Sequence, residues 1–489
     1  MAVNGTPPPP PSLPAHPDPA TDAVLGSGLL HELAHAFGGP FHFLLPHRFD
    51  ANLAAFRAAL ADAGVDGRVY YAKKANKAAA WIERCAAAGA GVDVASPGEL
   101  REALGHGVRG ENIVVTGPAK SEELLRVAAL QGALTAVDSL DELDRLTAAP
   151  RAGGAPPPRL LLRVLPPEQP GSRFGLDGAE LEEALAHCAR AGDAVRMEGF
   201  GFHLSGYAVQ PRADLAGRLV DLCLKARVMG LQADRISIGG GFAVDYAAAG
   251  DWHSFLATQQ PGHYHAHRRF TPADFYPYHS PVAGAGALRA VLAAVPAGGR
   301  DSLGSRLRET GTLLLMEPGR ALLDRAGSSV FRIQGVKDRE GYAILTVDGT
   351  SLSLSEQWFN SEFLPDPVLV PPAGRAGGTR RNGGPGATGV HPACAGGATC
   401  LESDLLTWRK IPFPVRPSVG DLLVYPNTAG YQMDSNESPF HDLPLPPKVV
   451  IDTTDDIPVD ATDDTLVGTA DGTTRGGRPR WRLDRRPAC

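Results

Sequence analysis

The chain has 489 residues and a formal net charge of −7. That length gives room for about two to four domains with a large core, and the acidic balance excludes the basic surface expected of a nucleic-acid-binding protein. The 57 glycines and 43 prolines exceed ordinary usage and gather in the two ends and one insertion.

Residues 1–25 carry a proline run, Pro7 to Pro11, and few apolar anchors. They read as a disordered tail. Residues 26–46 read as an N-terminal helix, a turn at Gly38-Gly39-Pro40 and a strand through Phe41 and Leu45. Residues 50–63 are helical, with apolar residues at Leu53, Phe56 and Leu60. A regular alternation then begins, with strands read at 69–72, 91–94, 113–116, 134–137, 160–165, 199–204, 236–238 and 313–316. Helical patterns separate most of them. One opens at Ser96-Pro97-Gly98-Glu99, a capping-box spacing with proline at the first helical position. The strands are near-continuous apolar runs, as expected when both faces are covered. Strands and helices alternating in this way predict an α/β fold, a (β/α)8 TIM-type barrel over 47–318, within the usual size of about 250 residues.

The segment 242–310 reads as irregular, with one helix at 286–295. Its patch of His263, Tyr264, His265 and His267 reads as a surface loop rather than a metal site, because of its flanking prolines and mixed spacing. Residues 319–450 become strand and turn and predict a mostly β domain, with a disordered Gly/Arg-rich insertion at 372–398. Residues 26–46 are expected to pack on it. Residues 451–489 read as a second disordered tail. Cys85, Cys188, Cys223, Cys394, Cys400 and Cys489 show no metal-type pairing, and in a chain this long no disulfide framework. There is no apolar run of about 18 residues and no signal-peptide order at the start. A cytoplasmic protein without membrane partners is expected.

The strand ends carry the chemistry. Lys74 follows the first strand and His203 ends the sixth. Gly239-Gly240-Gly241-Phe242 follows the seventh, and Glu317-Pro318-Gly319-Arg320 the eighth. Barrel sites form at this face, often with a phosphate site after strands seven and eight. Glycines let backbone N–H groups approach an anion, and arginine suits its geometry. A lysine, a ring, a carboxylate and a phosphate cradle are the set that pyridoxal 5'-phosphate requires.

The chain resembles the fold-type III pyridoxal-phosphate decarboxylases, the diaminopimelate/ornithine/arginine decarboxylase group with an alanine-racemase-like barrel. Tyr71-Ala72-Lys73-Lys74-Ala75-Asn76 is similar to their Tyr-Ala-x-Lys-Ala-Asn and selects Lys74 as the Schiff-base lysine. Gly91-Val92-Asp93-Val94-Ala95-Ser96, Ser172-Arg173-Phe174-Gly175, Phe202-His203-Leu204 and Ala429-Gly430-Tyr431 resemble further family segments. The resemblance spans about residues 40–445. It implies that His203, Gly239, Gly240, Gly241, Glu317, Gly319, Arg320 and Tyr431 bind the cofactor. It implies a homodimer with shared active sites, in which Cys400 protonates Cα and Glu402 and Asp404 meet the amino-acid substrate. Departures fall on the substrate side. Leu401 follows the cysteine where the family has an acid, and Gln357-Trp358-Phe359-Asn360 replaces an Arg-Pro segment. After His203 the order is Leu204-Ser205-Gly206, which displaces the serine expected at the phosphate. A decarboxylase is expected, acting on a diamino acid of the diaminopimelate or ornithine type or a relative. The alternatives are an amino-acid racemase or epimerase on the same fold, and a non-catalytic cofactor-binding homologue.

Overall fold

The computed structural model describes residues 10–148, 156–356, 361–374, 390–452 and 479–484. The chain divides into two compact units. One comprises 49–244, 282–322 and 485–489, and the other 1–48, 245–281 and 323–484.

The chain opens with α1 (Pro19–Gly26), α2 (Leu29–Phe37) and β1 (Phe41–Leu44). The expectation of disorder through residue 25 does not hold for 10–25. Asp18 caps α1 through the Thr21 amide, with Pro19 in the first turn, an arrangement in which proline loses no hydrogen bond. Upstream, the buried Arg409–Asp366 ion pair captures the chain: Arg409 donates to the Pro11 carbonyl, and Asp366 accepts from Ser12 and the Leu13 amide. Few apolar residues suffice here because buried polar partners hold the backbone.

After α3 (Pro46–Asp62), eight parallel strands close a barrel. They are β2 (Gly67–Ala72), β3 (Gly91–Val94), β4 (Ile113–Val115), β5 (Leu134–Val137), β6 (Arg159–Arg163), β7 (Arg196–Gly201), β8 (Arg235–Ser237) and β9 (Leu313–Met316). β9 pairs back to β2, with Leu314 opposite Gly67. The barrel axis is filled by Tyr70, Val114, Leu134, Leu161 and Leu315. At the strand starts Arg159, Arg196 and Arg235 converge on the fully buried Glu198. A carboxylate there is tolerated because three guanidiniums satisfy it. The helices α4 (Ala79–Ala88), α5 (Pro97–Gly105), α6 (Glu122–Leu130), α7 (Leu140–Ala148), α8 (Gly178–Ala191) and α9 (Val209–Val228) lie between successive strands.

The segment 242–310 is more ordered than its sequence suggests. It holds α10 (Ala249–Thr258), α11 (Gly284–Ala293) and α12 (Leu303–Thr310). Residues 245–281 belong to the sheet unit rather than to the barrel. The His/Tyr patch is not a simple surface loop either. His263 and Tyr264 are buried, Tyr264 packs on Phe270, and His265 bonds the Tyr342 hydroxyl at 2.8 Å. Aromatic packing, invisible as a period, orders this stretch.

The second unit carries β10 (Gly327–Arg339), β11 (Tyr342–Val347), β12 (Val368–Val370), β13 (His391–Gly396), β14 (Leu405–Phe413), β15 (Leu422–Tyr425), β16 (Lys448–Asp452) and β17 (Arg480–Leu483). Its sheet runs β14-β13-β11-β10-β1-β16-β17, with β15 joining β10 to β12. α1, α2 and the strands enclose a core of Val24, Leu30, Phe41, Phe43, Val330, Val424 and Ile451. Burying each such side chain contributes about 1.5–3 kcal/mol. β13 lies within the stretch expected to be a disordered insertion, and the end of β16 and all of β17 fall within the expected C-terminal tail. Pairing of β13 with β11, of β16 with β1 and of β17 with β16 orders them. Residues 375–389, 453–478 and Cys489 lie outside the described residues, as do 1–9. Among the described residues no helix is long and apolar enough to cross a membrane, and no group of His, Cys, Asp and Glu is placed to hold a metal ion.

Candidate active site

The C-terminal ends of β2, β3, β8 and β9 build one constellation. β2 runs into a single 3-10 turn, Lys73–Ala75, which sends the two lysines in different directions. Lys73 is buried, and its amine pairs with Glu102 of α5 at 2.6 Å. The Lys74 side chain is 46 % exposed, and its amine lies 3.2 Å from Asp93 at the end of β3. Asp93 is itself buried and accepts from the Thr116 hydroxyl at 2.7 Å. One carboxylate therefore orients Lys74 while its second oxygen is held.

β8 delivers Ser237, whose hydroxyl donates to Glu317 at 2.7 Å and accepts from the Gly239 amide at 3.2 Å. Glu317, beyond β9, is partly buried. Burial first, then the nearby Asp93 charge, raises its pKa to about 7 against the pull of Lys74. A carboxyl so placed is poised to hold or release a proton near neutrality. His203, beyond β7, is pushed down to about 3 by burial, then by Lys74, Arg163 and Arg212. It is a neutral ring. Its Nδ1 accepts from the Gly240 amide at 3.4 Å.

The glycine loop has no room for side chains. A Cβ at Gly239 would stand 2.6 Å from the Phe202 carbonyl, one at Gly240 2.7 Å from the Glu317 carbonyl, and one at Gly241 2.5 Å from the Arg212 guanidinium. Gly239 and Gly241 also have φ of 64° and 77°, the left-handed region that glycine enters freely. The chain thus bares backbone at this point on both steric and conformational grounds. Gly319 and the buried Arg320 follow Glu317 after Pro318. This donor set fits pyridoxal phosphate: an accessible amine, a partly buried carboxyl held by Ser237, a neutral ring and a bare backbone cradle next to an arginine.

Cys400, Glu402, Asp404 and Tyr431 lie in the sheet unit. Cys400 and Glu402 are exposed. Asp404 is buried, and its carboxylate accepts from the Ser351 amide at 2.7 Å and from the Thr399 amide and hydroxyl. Its oxygens shape the cysteine loop rather than face outward. Tyr431 is buried with φ 78°, an outlier for a bulky residue. Gln357 to Asn360 lie outside the described residues.

Several residues here were not assigned from sequence. Asp93 stands in a matched segment, yet only its geometry gives it a task. Ser237 and Thr116 are ordinary strand-end residues in sequence. His441 gives no signal at all. Its Nε2 lies 3.1 Å from the Cys400 sulfur, and it reaches there because His441 and Asp442 both take positive φ.

Residues 47–260 match the family described as pyridoxal-dependent decarboxylase, pyridoxal binding domain. The chain is 39% identical to the uncharacterized protein y4yA of Sinorhizobium fredii, over 86% of this chain and 90% of that protein. It is 30% identical to the diaminopimelate decarboxylase of Pseudomonas aeruginosa, over 65% of this chain and 69% of that enzyme. Among solved structures, the M. jannaschii diaminopimelate decarboxylase in complex with L-lysine has a TM-score of 0.65 at 18% identity, covering 86% of this chain and 89% of that one. The lysine/ornithine decarboxylase of Vibrio vulnificus complexed with putrescine has a TM-score of 0.62 at 19% identity, covering 86% and 97%. These two show the shared fold of barrel and β domain. With the barrel, the strand-end lysine and the sequence relatives in agreement, the chain belongs to the fold-type III pyridoxal-phosphate-dependent decarboxylases.

Proposed function

We propose that the protein removes the α-carboxylate of an amino acid, a diamino acid of the diaminopimelate or ornithine class or a relative, and works as a cytoplasmic homodimer with shared active sites. The observation that carries this reading is the division of labour between neighbouring lysines: Lys73 is committed to Glu102, while Lys74 is presented at the barrel mouth beside Asp93. The diamino-acid class is drawn from the named relatives. The cytoplasmic setting is supported by five described cysteines that are free thiols.

When bound, pyridoxal phosphate supplies an electron sink for the pair left on Cα as CO₂ departs. The protein's residues do the rest. Lys74, oriented by Asp93, would hold the cofactor through its amine. Glu317, fixed by Ser237, would hold a proton for the cofactor's ring. His203, a neutral ring, would help hold the cofactor. Gly239, Gly240, Gly241, Gly319, Arg320 and Tyr431 would hold the phosphate group; the strained Tyr431 backbone is the kind of outlier that marks a functional position. Glu402 meets the substrate. Asp404 acts as a positioning residue, through the hydrogen bonds that shape the loop bearing Cys400. Cys400 delivers a proton to Cα, and His441 restores it to the sulfur across 3.1 Å.

The test is product analysis in D₂O with a panel of L-, D- and meso-amino acids. An amine that has lost CO₂ and carries one deuterium at Cα establishes the reaction and its substrate. An intact amino acid deuterated at Cα moves the reading to racemisation. Bound cofactor with no change in any panel member leaves a non-catalytic homologue.

A further inference from the structure

Arg212 sits in the first turns of α9 with its side chain buried, 2 % exposed. Its guanidinium spans the base of the glycine loop. Nη1 donates to the Ile238 carbonyl at 2.9 Å and the Gly240 carbonyl at 2.7 Å. Nη2 donates to the Gly206 carbonyl at 3.3 Å and the Gly241 carbonyl at 3.1 Å. All four acceptors are neutral. Among the described residues no carboxylate compensates the charge, and Tyr207 is the one ionisable group that favours it. Burial lowers the guanidinium pKa to about 10, which leaves it charged at neutral pH.

A buried charge without a counter-ion is costly. The fold keeps this one directly behind three glycines whose side-chain space is closed. Its hydrogen bonds draw the loop carbonyls to one side, so an anion on the loop meets positive charge behind the backbone rather than carbonyl oxygen. The order Leu204-Ser205-Gly206 also leaves the loop without its expected serine, and the Gly206 carbonyl is tied to the same guanidinium.

We propose that Arg212 is a positioning residue that fixes the glycine loop and supplies the buried positive charge that keeps a phosphate group bound there in its dianionic form. The proposal rests on the reading of Gly239 to Gly241 as the cofactor's phosphate site. A phosphate monoester has a second pKa of about 6, and a nearby cation favours its charged form.

The test combines binding and ³¹P resonance. Apoprotein is titrated with pyridoxal phosphate and with pyridoxal, which lacks the phosphate, and the ³¹P shift of the holoprotein is followed from about pH 5.5 to 8. In the wild type, pyridoxal phosphate should bind far more tightly than pyridoxal, and the bound ³¹P shift should stay at its dianion position throughout. Arg212→Gln, which keeps polar contacts but loses the charge, should weaken pyridoxal phosphate by at least about tenfold, leave pyridoxal unchanged, and make the bound phosphate titrate. Arg212→Lys should restore the flat profile. A Gln variant with the wild-type profile and an unchanged preference for the phosphate would overturn the proposal. If the Gln variant does not fold, the Lys variant decides: a flat profile supports the charge, and a titrating one overturns it. Failure of the underlying reading looks different, because the wild type itself would bind both ligands equally and show a free-ligand resonance.

Discussion

The amine of Lys73 lies 2.6 Å from the Glu102 carboxylate, with the lysine side chain only 2 % exposed. The residue next to it, Lys74, meets Asp93 instead. Adjacent lysines therefore answer to different parts of the barrel, one to the helix layer and one to the mouth. Lys73→Met should lower stability by about 3 kcal/mol, because it removes the ammonium from a largely buried ion pair, yet retain the cofactor's visible absorbance. Lys74→Ala should lose that absorbance at little cost to the apoprotein. Chemical denaturation and absorbance spectra separate the two.

Glu317 and His203 make opposed pH contributions to the apoprotein. Glu317, raised to about 7, binds more protons folded than unfolded, so its contribution is present at low pH and is lost as pH rises from the unfolded value of about 4.5 through 7. His203, lowered to about 3, binds fewer, so its contribution is present above about 6.5 and is lost as pH falls toward 3. Between pH 4.5 and 6.5 the two slopes oppose each other. Glu317→Gln should uncover the histidine slope, a loss of about 1.4 kcal/mol per pH unit on acidification. Denaturant midpoints of the apoprotein across this window check the sign.

Gly240 has an ordinary backbone conformation, so Gly240→Ala tests space alone. Its added methyl would meet the Glu317 carbonyl at 2.7 Å and His203 at 3.3 Å. Cofactor affinity should drop by at least tenfold, roughly 1.4 kcal/mol. Titration of apoprotein with pyridoxal phosphate reads this directly.

Cys400 and His441 should behave as a pair. Cys400→Ala should keep the cofactor and lose normal turnover, and His441→Ala should lower kcat by roughly 10²-fold without changing cofactor affinity. The double variant should be no worse than Cys400→Ala, because both act on one proton. Asp404→Ala should reach the same readout by another route, destabilising the sheet unit by roughly 2–3 kcal/mol as the Ser351 and Thr399 donors lose their acceptor.

The barrel was legible because each strand is a short apolar run between helical patterns, and its mouth because lysine, glycines and glutamate follow strand ends directly. α1 was missed although Asp18-Pro19 is a helix-start signal, since the preceding proline run dominated the composition. The order in 245–281 escaped because Tyr246, Tyr276 and Tyr278 pack edge-on to one another, which leaves no period to read. His441 escaped because it depends on two consecutive left-handed residues. Arg212 escaped because a helical arginine reads as solvated surface, and only the fold shows four carbonyls converging on it.

The most direct measurement is borohydride reduction of the holoprotein followed by peptide mass mapping. A pyridoxyl group on Lys74, with Lys73 unmodified, is the predicted result. A pyridoxyl group on Lys73, or on neither lysine of a protein that carries bound cofactor, would contradict the account of the site.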